Sequence, residues 1–542
     1  MAMTKGAVAP ANAHHRGGLA DTVSVLLVSF SLAMVFRGFV LEGFVIPTGS
    51  MAPTLLGENI RVRSGETGYD YAVDAQPILF NARRAAGGGG RDFPQPLYDP
   101  MISQQIPVDD ESNLKLATDA RLGDRILVLK YLWPFHGVER YDSVVFKNPT
   151  DPVGDAAYYV KRCVGVPNER FCIADGDVFT GPADGRPEQM RVARKGELAQ
   201  RGCWQPVYDS DYQPVSIEQM EATTKRAWAG APFRGEGWSM RGEREWSHPA
   251  GGEPATLKWE HSIIPLTDWN AYNIYRPSTT QFPMADIRVA AEVAMGRGSM
   301  DTTLELRARG RVFRFTLGAY EAKVEMLDDA GTVLAGAAAE GWYLDDSRAH
   351  VEFWHVDQAM RLFVNGQAVA SLEYEFPSPQ ARLAATIPDF SIAEYLEDPM
   401  RQMPGRSTLE WSFGGEATLR RVQVSRDLYY RPARLDPNQQ TKLPGVPVQD
   451  GPAFGVDVVN PPVLGPRDHV MFGDNSAASR DSRLWGSPHP LVVDQLGYEA
   501  PFRVPTELVI GRAWAVYFPS LIPMDAGGKK FIPDFGRLRF IR

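Results

Sequence analysis

Three short stretches hold residue types that can do chemistry together. The first is Ile46-Pro47-Thr48-Gly49-Ser50-Met51-Ala52-Pro53-Thr54-Leu55. The two prolines fix φ on either side of Ser50, and Gly49 permits a close backbone approach just before it. A serine held this way can act as a nucleophile, although Pro, Ser and Gly also build ordinary turns. The second stretch is Tyr158-Tyr159-Val160-Lys161-Arg162-Cys163-Val164-Gly165-Val166-Pro167. Read as a strand, it puts Tyr159, Lys161 and Cys163 on one face. Burial on an apolar face disfavours the ammonium and lowers a lysine's pKa. A neutral lysine can take the proton of a serine hydroxyl, the Ser-Lys form of nucleophile activation; the alternative is an edge-strand lysine facing water. The third stretch runs from Met471 to Gly486 and is dense in Asp, Asn, Ser and Gly, which predicts a loop tied by side-chain-to-backbone bonds. His136, His355 and His469 lie in no hydrolase-type motif, so a Ser-His-Asp triad is not expected. No Cys/His cluster has metal-ligand spacing, and the expected chemistry calls for no cofactor and no metal.

The elements that must position these residues follow from composition and pattern. The chain has 542 residues, and a prior of roughly 150 residues per domain predicts three or four domains. Glycine (50) and proline (42) run above their usual joint share, which favours a turn-rich β protein. A net charge of −9 argues against nucleic acid as a partner. Three cysteines are too few for a disulfide scaffold. Thr22 to Leu41 is apolar apart from small or hydroxyl residues and Arg37, long enough for one membrane span. No Ala-x-Ala-like site follows it, which favours an uncleaved anchor over a secretory signal. Lys5, His14, His15 and Arg16 precede the span, with Asp21 the one acid among them, so the N-terminus is expected in the cytoplasm.

After the anchor, residues 64–122 read as irregular and polar, with a linker at Gly87-Gly88-Gly89-Gly90. Gly123-Asp124-Arg125-Ile126-Leu127-Val128 is similar to Gly57-Glu58-Asn59-Ile60-Arg61-Val62, a strand signal repeated around an insertion or a coincidence of short matches. Ser143–Phe146, Tyr158–Val166 and Phe171–Ile173 read as strands, and residues 183–250 as hydrophilic. From about 255 to 430 the chain alternates apolar and polar residues, as in Val312-Phe313-Arg314-Phe315-Thr316-Leu317. Asn365-Gly366 between two such runs predicts a type I′ hairpin. This part resembles the concanavalin/laminin-G-like jelly-roll sandwiches that often bind glycans or proteins, which leaves open whether it is a spacer or a binding module. Residues 431–465 read as a proline-rich return linker.

In their order behind an anchor, the three stretches resemble bacterial type I signal peptidases, peptidase family S26. That family carries Arg-x-Phe-x-x-Glu-x-Phe-x-Ile-Pro-Ser-Gly-Ser-Met-x-Pro-Thr-Leu, and Arg37 to Leu55 follows it with Thr48 at the first serine. Tyr141-Asp142-Ser143-Val144-Val145-Phe146 is similar to its Gly-Asp-x-x-Val-Phe element, with Tyr141 in place of glycine. Lys161 to Glu169 is similar to its Lys-Arg-x-x-Gly-x-Pro-Gly-Asp element, with Asn168 and Glu169 departing from it. Gly473 to Gly486 matches Gly-Asp-Asn…Ser-x-Asp-Ser-Arg-x-x-Gly, and Gly511-Arg512-Ala513 and Gly536-Arg537-Leu538-Arg539 are also similar.

The resemblance implies a mainly β fold: a cytoplasmic tail (1–20), an anchor (21–43), and a peptidase core of antiparallel β-structure (44–62, 123–185 and 441–542). A first insertion (63–122) and a second (186–440, with the sandwich at about 255–430) interrupt the core. It implies Ser50 as nucleophile, Lys161 as general base, and an oxyanion hole made by the Ser50 N–H and the Thr48 hydroxyl. Ser479 would hydrogen-bond and orient Lys161, Asp481 and Arg483 would form a supporting ion pair, Arg162 would be structural, and Tyr159 would cover the lysine stem. The implied activity is that of a serine endopeptidase, signal peptidase I, at the outer face of the inner membrane. Its substrates would be preprotein signal peptides with Ala-x-Ala-like sites, bound as an added β-strand. The lipid bilayer, met by an apolar surface near Met51, and the secretion translocon would be its other partners. Cys172 and Cys203 can pair outside the membrane, leaving Cys163 buried and free. Two other readings stay open: a membrane-anchored binding protein that uses the sandwich on a degenerate peptidase scaffold, and a Ser-Lys processing peptidase with a dedicated substrate.

Overall fold

The computed structural model describes residues 19–77, 97–106, 120–130, 137–154, 157–214, 216–224, 227–242, 244–249, 254–273, 280–296, 300–344, 347–438, 449–523 and 531–541. The tail before Leu19, the glycine linker at 87–90 and His136 lie outside the described residues. The fold is mainly β, with one long apolar helix.

That helix, α1 (Leu19–Phe39), is 21 residues long. At about 1.5 Å per residue it reaches roughly 30 Å, the thickness of a bilayer's hydrocarbon core. It is long and apolar enough to cross a membrane, and none of its apolar window is buried against the rest of the chain.

One eight-stranded sheet carries the first and third motifs to the second. Its strands are β1 (Leu41–Val45), β2 (Arg125–Leu129), β3 (Ser143–Lys147), β4 (Tyr158–Gly165), β5 (Asp468–Phe472), β6 (Val504–Pro505), β7 (Val509–Phe518) and β8 (Arg539–Phe540). The order is β1-β2-β7-β3-β4-β5-β6, with β8 added to β7. Every pairing is antiparallel, and Val144 of β3 lies opposite Lys161 of β4. Strand β4 is interior to the sheet, and from Lys161 to Gly165 every residue is buried, which is where a lysine is costly.

The two similar strand signals form strands in different sheets. Arg125–Leu129 joins the large sheet, whereas Asn59–Arg63 pairs with Asp70–Asp74 in a separate hairpin. The first insertion is therefore not irregular throughout: it holds Asp70–Asp74 and the pair Leu97–Asp99 and Gln104–Ile106. Strands this short leave little periodicity to read.

The second insertion contains a two-sheet sandwich of eight and seven antiparallel strands. Its core interleaves residues of both sheets, among them Trp246, Val289, Phe313, Phe353 and Trp411. The sandwich starts earlier than the alternation near 255. Gln205–Asp209 pairs with Ala417–Arg426, and Phe233–Arg234, Ser239–Arg241 and Glu245–His248 are further strands within the region read as hydrophilic. Asn365 and Gly366 join Ala359–Val364 to Gln367–Glu373 with φ of 49° and 81°, the signs a type I′ turn requires.

Buried ion pairs fasten the sandwich to the core. Asp175 and Asp177 sit at the tip of the hairpin Glu169–Ala174/Asp177–Pro182. Arg309 Nε donates to Asp175 at 2.9 Å while its two terminal nitrogens grip Asp286 at 2.8 and 2.9 Å. Arg382 bonds Asp175 and Asp177, each at 2.9 Å. Three buried carboxylates, Asp177, Asp357 and Asp427, come close enough to one another to hold a metal ion. The Lys195 ammonium lies between two of them, 2.7 Å from Asp357 and 2.9 Å from Asp427.

Candidate active site

Ser50 sits in the middle of the 3-10 turn Gly49–Met51, reached from β1 through Ile46, Pro47 and Thr48. Asp124, fully buried, holds both ends of this segment. Its carbonyl accepts from the Ile46 N–H at 2.9 Å, and its carboxylate accepts from Leu56 N at 2.9 Å, Ser520 N at 3.0 Å and Arg537 at 2.9 Å. Gly49 is pressed against the Tyr272 ring: a Cβ there would stand 2.0 Å from the nearest ring carbon. Thr48 is exposed and its hydroxyl does not cap the turn.

Lys161 comes from interior strand β4 and is 3% exposed. Its Nζ is hydrogen-bonded to Ser50 Oγ. The Tyr159 ring lies over the ammonium, with its centre 5.6 Å from Nζ, and packs edge-on to Phe146 and tilted against Trp485. Burial pushes the ammonium down to about 8; the Asp481 carboxylate opposes this and Arg483 adds to it. A lysine near this value is neutral often enough at physiological pH to act as a base.

Alternation along β4 turns Arg162 the other way. Its guanidinium bonds both oxygens of Asp474 and the Tyr141 carbonyl, the latter at 2.7 Å. The loop after β5 closes the site. Arg483 grips Asp481 through Nε at 2.9 Å and Nη2 at 2.7 Å, and Asp481 accepts from the Gly473 N–H at 3.0 Å. This binds the end of β5 to the loop that returns past it. Asn475 reaches the nucleophile turn directly: its N–H donates to the Ser50 carbonyl at 3.0 Å and its side-chain amide to the Gly49 carbonyl at 2.9 Å.

The fold thus brings Ser50, Lys161, Tyr159, Arg162, Asp481 and Arg483 into one site. Ser479 differs from its expected role. Its Oγ is buried, has no hydrogen-bond partner, and faces the Gly473 backbone rather than bonding Lys161. The disulfide is absent: all three thiols are free and buried. Cys172 lies near Tyr395 and Asp457, whereas Cys203 lies near Arg162 and Asp474, so the two have different surroundings. Met51 is 1% exposed and contributes no surface. His355 is far down in the sandwich core, bonded to the Ala285 carbonyl and the Tyr374 hydroxyl, and burial lowers it to about 3.

The backbone explains why the family pattern has glycine at two positions where this chain departs from it. Tyr141, where the pattern has glycine, takes a φ of 72°, and Asn168, also at a glycine position, takes 64°. Asparagine accepts the left-handed region more readily than a tyrosine does. Glu169 keeps the turn closed by accepting from Val166 N at 2.9 Å and pairing with Arg140. Sequence reasoning missed Asp124, Tyr272 and Asn273. A buried aspartate has no local signal, and the other two belong to an insertion outside the family pattern.

Comparison with known proteins places residues 104–218, which include β2 to β4 and Lys161, in a match to the family described as signal peptidase, peptidase S26. The match supports a signal-peptidase-type function. No curated protein matches the chain. Solved structures that match include a carbohydrate-binding module from Bacillus subtilis, at 9% identity over 36% of this chain and 96% of that one, with a TM-score of 0.21. A galectin from Caenorhabditis elegans matches at 12% identity over 35% of this chain and 100% of that one, with a TM-score of 0.20.

Proposed function

We propose that the protein is a membrane-anchored serine endopeptidase that removes N-terminal signal peptides from secreted preproteins after small-residue, Ala-x-Ala-like sites. The observation that carries this reading is the buried Lys161 amine hydrogen-bonded to Ser50 Oγ. A decayed scaffold has no reason to keep a costly buried lysine on a serine hydroxyl.

Neutral Lys161 takes the proton from Ser50 Oγ as the oxygen attacks the scissile carbonyl. The carbonyl oxygen becomes an oxyanion, stabilised by the Ser50 N–H and the Thr48 hydroxyl, donors worth about 3–4 kcal/mol each in the transition state. Protonated Lys161 then gives its proton to the departing amine, which leaves as the N-terminus of the mature protein. The signal peptide stays esterified to Ser50. Lys161, neutral again, deprotonates a water that attacks the ester, and the proton returns to Ser50 Oγ as the signal peptide leaves. Tyr159 keeps water from the ammonium, and the Asp481–Arg483 pair holds the closing loop in place.

Helix α1 would cross the inner membrane with the N-terminus in the cytoplasm and the site outside, near the translocon. Exposed Val45, Trp514 (39%), Tyr517 and Phe540 (59%) give β1, β7 and β8 exposed apolar side chains suited to the bilayer surface.

The test uses detergent-solubilised protein and a preprotein with an Ala-x-Ala site, and mass spectrometry to locate the cut. Cleavage after the small residue that disappears in Ser50→Ala and Lys161→Ala is expected. A folded native chain that leaves the preprotein intact overturns the reading.

A further inference from the structure

We propose that Asn273, a residue of the second insertion, is a positioning residue for the oxyanion donor at Ser50; the inference rests on the dyad reading above. The 3-10 turn Ala271–Asn273 leaves the sandwich and packs beneath the nucleophile. Its Tyr272 ring fills the space beside Gly49, shares a buried patch with Ala52 and Leu56, and donates its hydroxyl to the Glu58 carbonyl at 3.1 Å. Asn270 reaches the Ala52 carbonyl at 3.4 Å.

Asn273 acts one step further on. Its side-chain amide donates to Asn475 Oδ1 at 2.6 Å and accepts from Asn475 Nδ2 at 2.8 Å, a reciprocal pair with both residues buried. The same Asn475 Nδ2 donates to the Gly49 carbonyl at 2.9 Å. A side-chain amide presents an acceptor on one side and donors on the other. Pairing with Asn273 engages both and fixes which side faces Gly49. The Gly49–Ser50 peptide is planar, so its carbonyl and its N–H point in opposite directions. Anchoring the Gly49 oxygen therefore sets where the Ser50 N–H aims. Without the Asn273 amide, Asn475 Oδ1 loses a donor in a buried place, and rotating to find another takes away one of the two donors on the Gly49 carbonyl, leaving the Ala52 N–H at 3.0 Å as its remaining anchor. The insertion thereby becomes part of the machinery that shapes the transition-state site.

The experiment uses the full-length detergent-solubilised chain, the Ala-x-Ala preprotein, and the variants Asn273→Ala and Asn273→Asp. Asn273→Ala is expected to lower kcat about tenfold, less than the roughly hundredfold or more that follows deletion of an oxyanion donor. KM should stay within about twofold, since ground-state binding is untouched. Hydrogen exchange across residues 46–56 should rise while the thermal midpoint of the whole chain holds. Asn273→Asp keeps the acceptor for Asn475 Nδ2 and should retain an intermediate kcat; if Asn273→Ala does not fold, this variant decides alone. An active native chain whose Asn273 variants keep full kcat overturns the positioning role. So does a fall in kcat that only tracks a fall in thermal midpoint. A native chain that cuts no preprotein overturns the dyad reading, and this inference with it.

Discussion

Arg162 and Asp474 form two parallel hydrogen bonds, 2.8 and 2.6 Å long, and neither side chain reaches solvent. They tie the strand that carries Lys161 to the loop that carries Asn475, two segments far apart in sequence. Removing one partner strands the other as a buried charge. Asp474→Ala is expected to cost about 3–5 kcal/mol, seen as a lower denaturant midpoint, and to misplace the dyad. Unchanged stability in that variant would show the pair is not what joins the two segments.

The buried lysine predicts the pH profile. The base must be neutral, and burial sets Lys161 near 8. The slope of log(kcat/KM) against pH should therefore approach about one below that value and flatten above it. An activity independent of pH between 6 and 10 would remove Lys161 as the base.

The same group predicts a stability effect. Lys161 titrates near 8 when folded against an ordinary value of 10.5. Between these values the unfolded chain binds more protons than the native one, so the contribution of this group to stability rises with pH through that window. Lys161→Met removes the penalty of a buried ammonium. It should raise the thermal midpoint at pH 7, and the gain should shrink as pH climbs past 8. A loss of stability at pH 7 would contradict the assignment.

Gly473 lies at a close approach between the loop after β5 and the nucleophile turn. A Cβ there would stand 2.2 Å from Ser479 Oγ and 2.4 Å from the Ser50 carbonyl oxygen, and the latter belongs to backbone that cannot swing aside. Gly473→Ala should cost about 1–3 kcal/mol through overpacking. A displacement of the nucleophile by about 1 Å should lower kcat roughly a hundredfold. Kinetics and a denaturant titration check both together.

Arg309 supports the junction of sandwich and core through Asp175 and Asp286. Arg309→Ala takes the two-pronged partner from buried Asp286, while Asp175 keeps Arg382, and should destabilise the chain by about 3–5 kcal/mol. Because Asn273 reaches the site from the same insertion, activity should fall below the denaturing range as well. Calorimetry with parallel peptidase assays would separate the two effects.

Much of this protein can be read from contiguous residues. Ser50 between its prolines, Lys161 on an apolar strand face, the polar loop from Met471 to Gly486, the long apolar run of α1 and the Asn365-Gly366 turn each depend on local dihedral preference, side-chain alternation or hydropathy. These properties belong to a few neighbouring residues, so the sequence alone determined them. The start of the sandwich at Gln205 and the bond expected of Ser479 depended on what the chain brings alongside, as did the Cys172–Cys203 pairing that the sequence left open. The short strands Phe233–Arg234 and Glu245–His248 gain their identity from the partners beside them. Asp124 and Asn273 have their meaning only through neighbours that close packing delivers from distant parts of the chain. Which buried donor meets which acceptor is settled by the requirement that every such group find a partner, and that requirement is met in three dimensions.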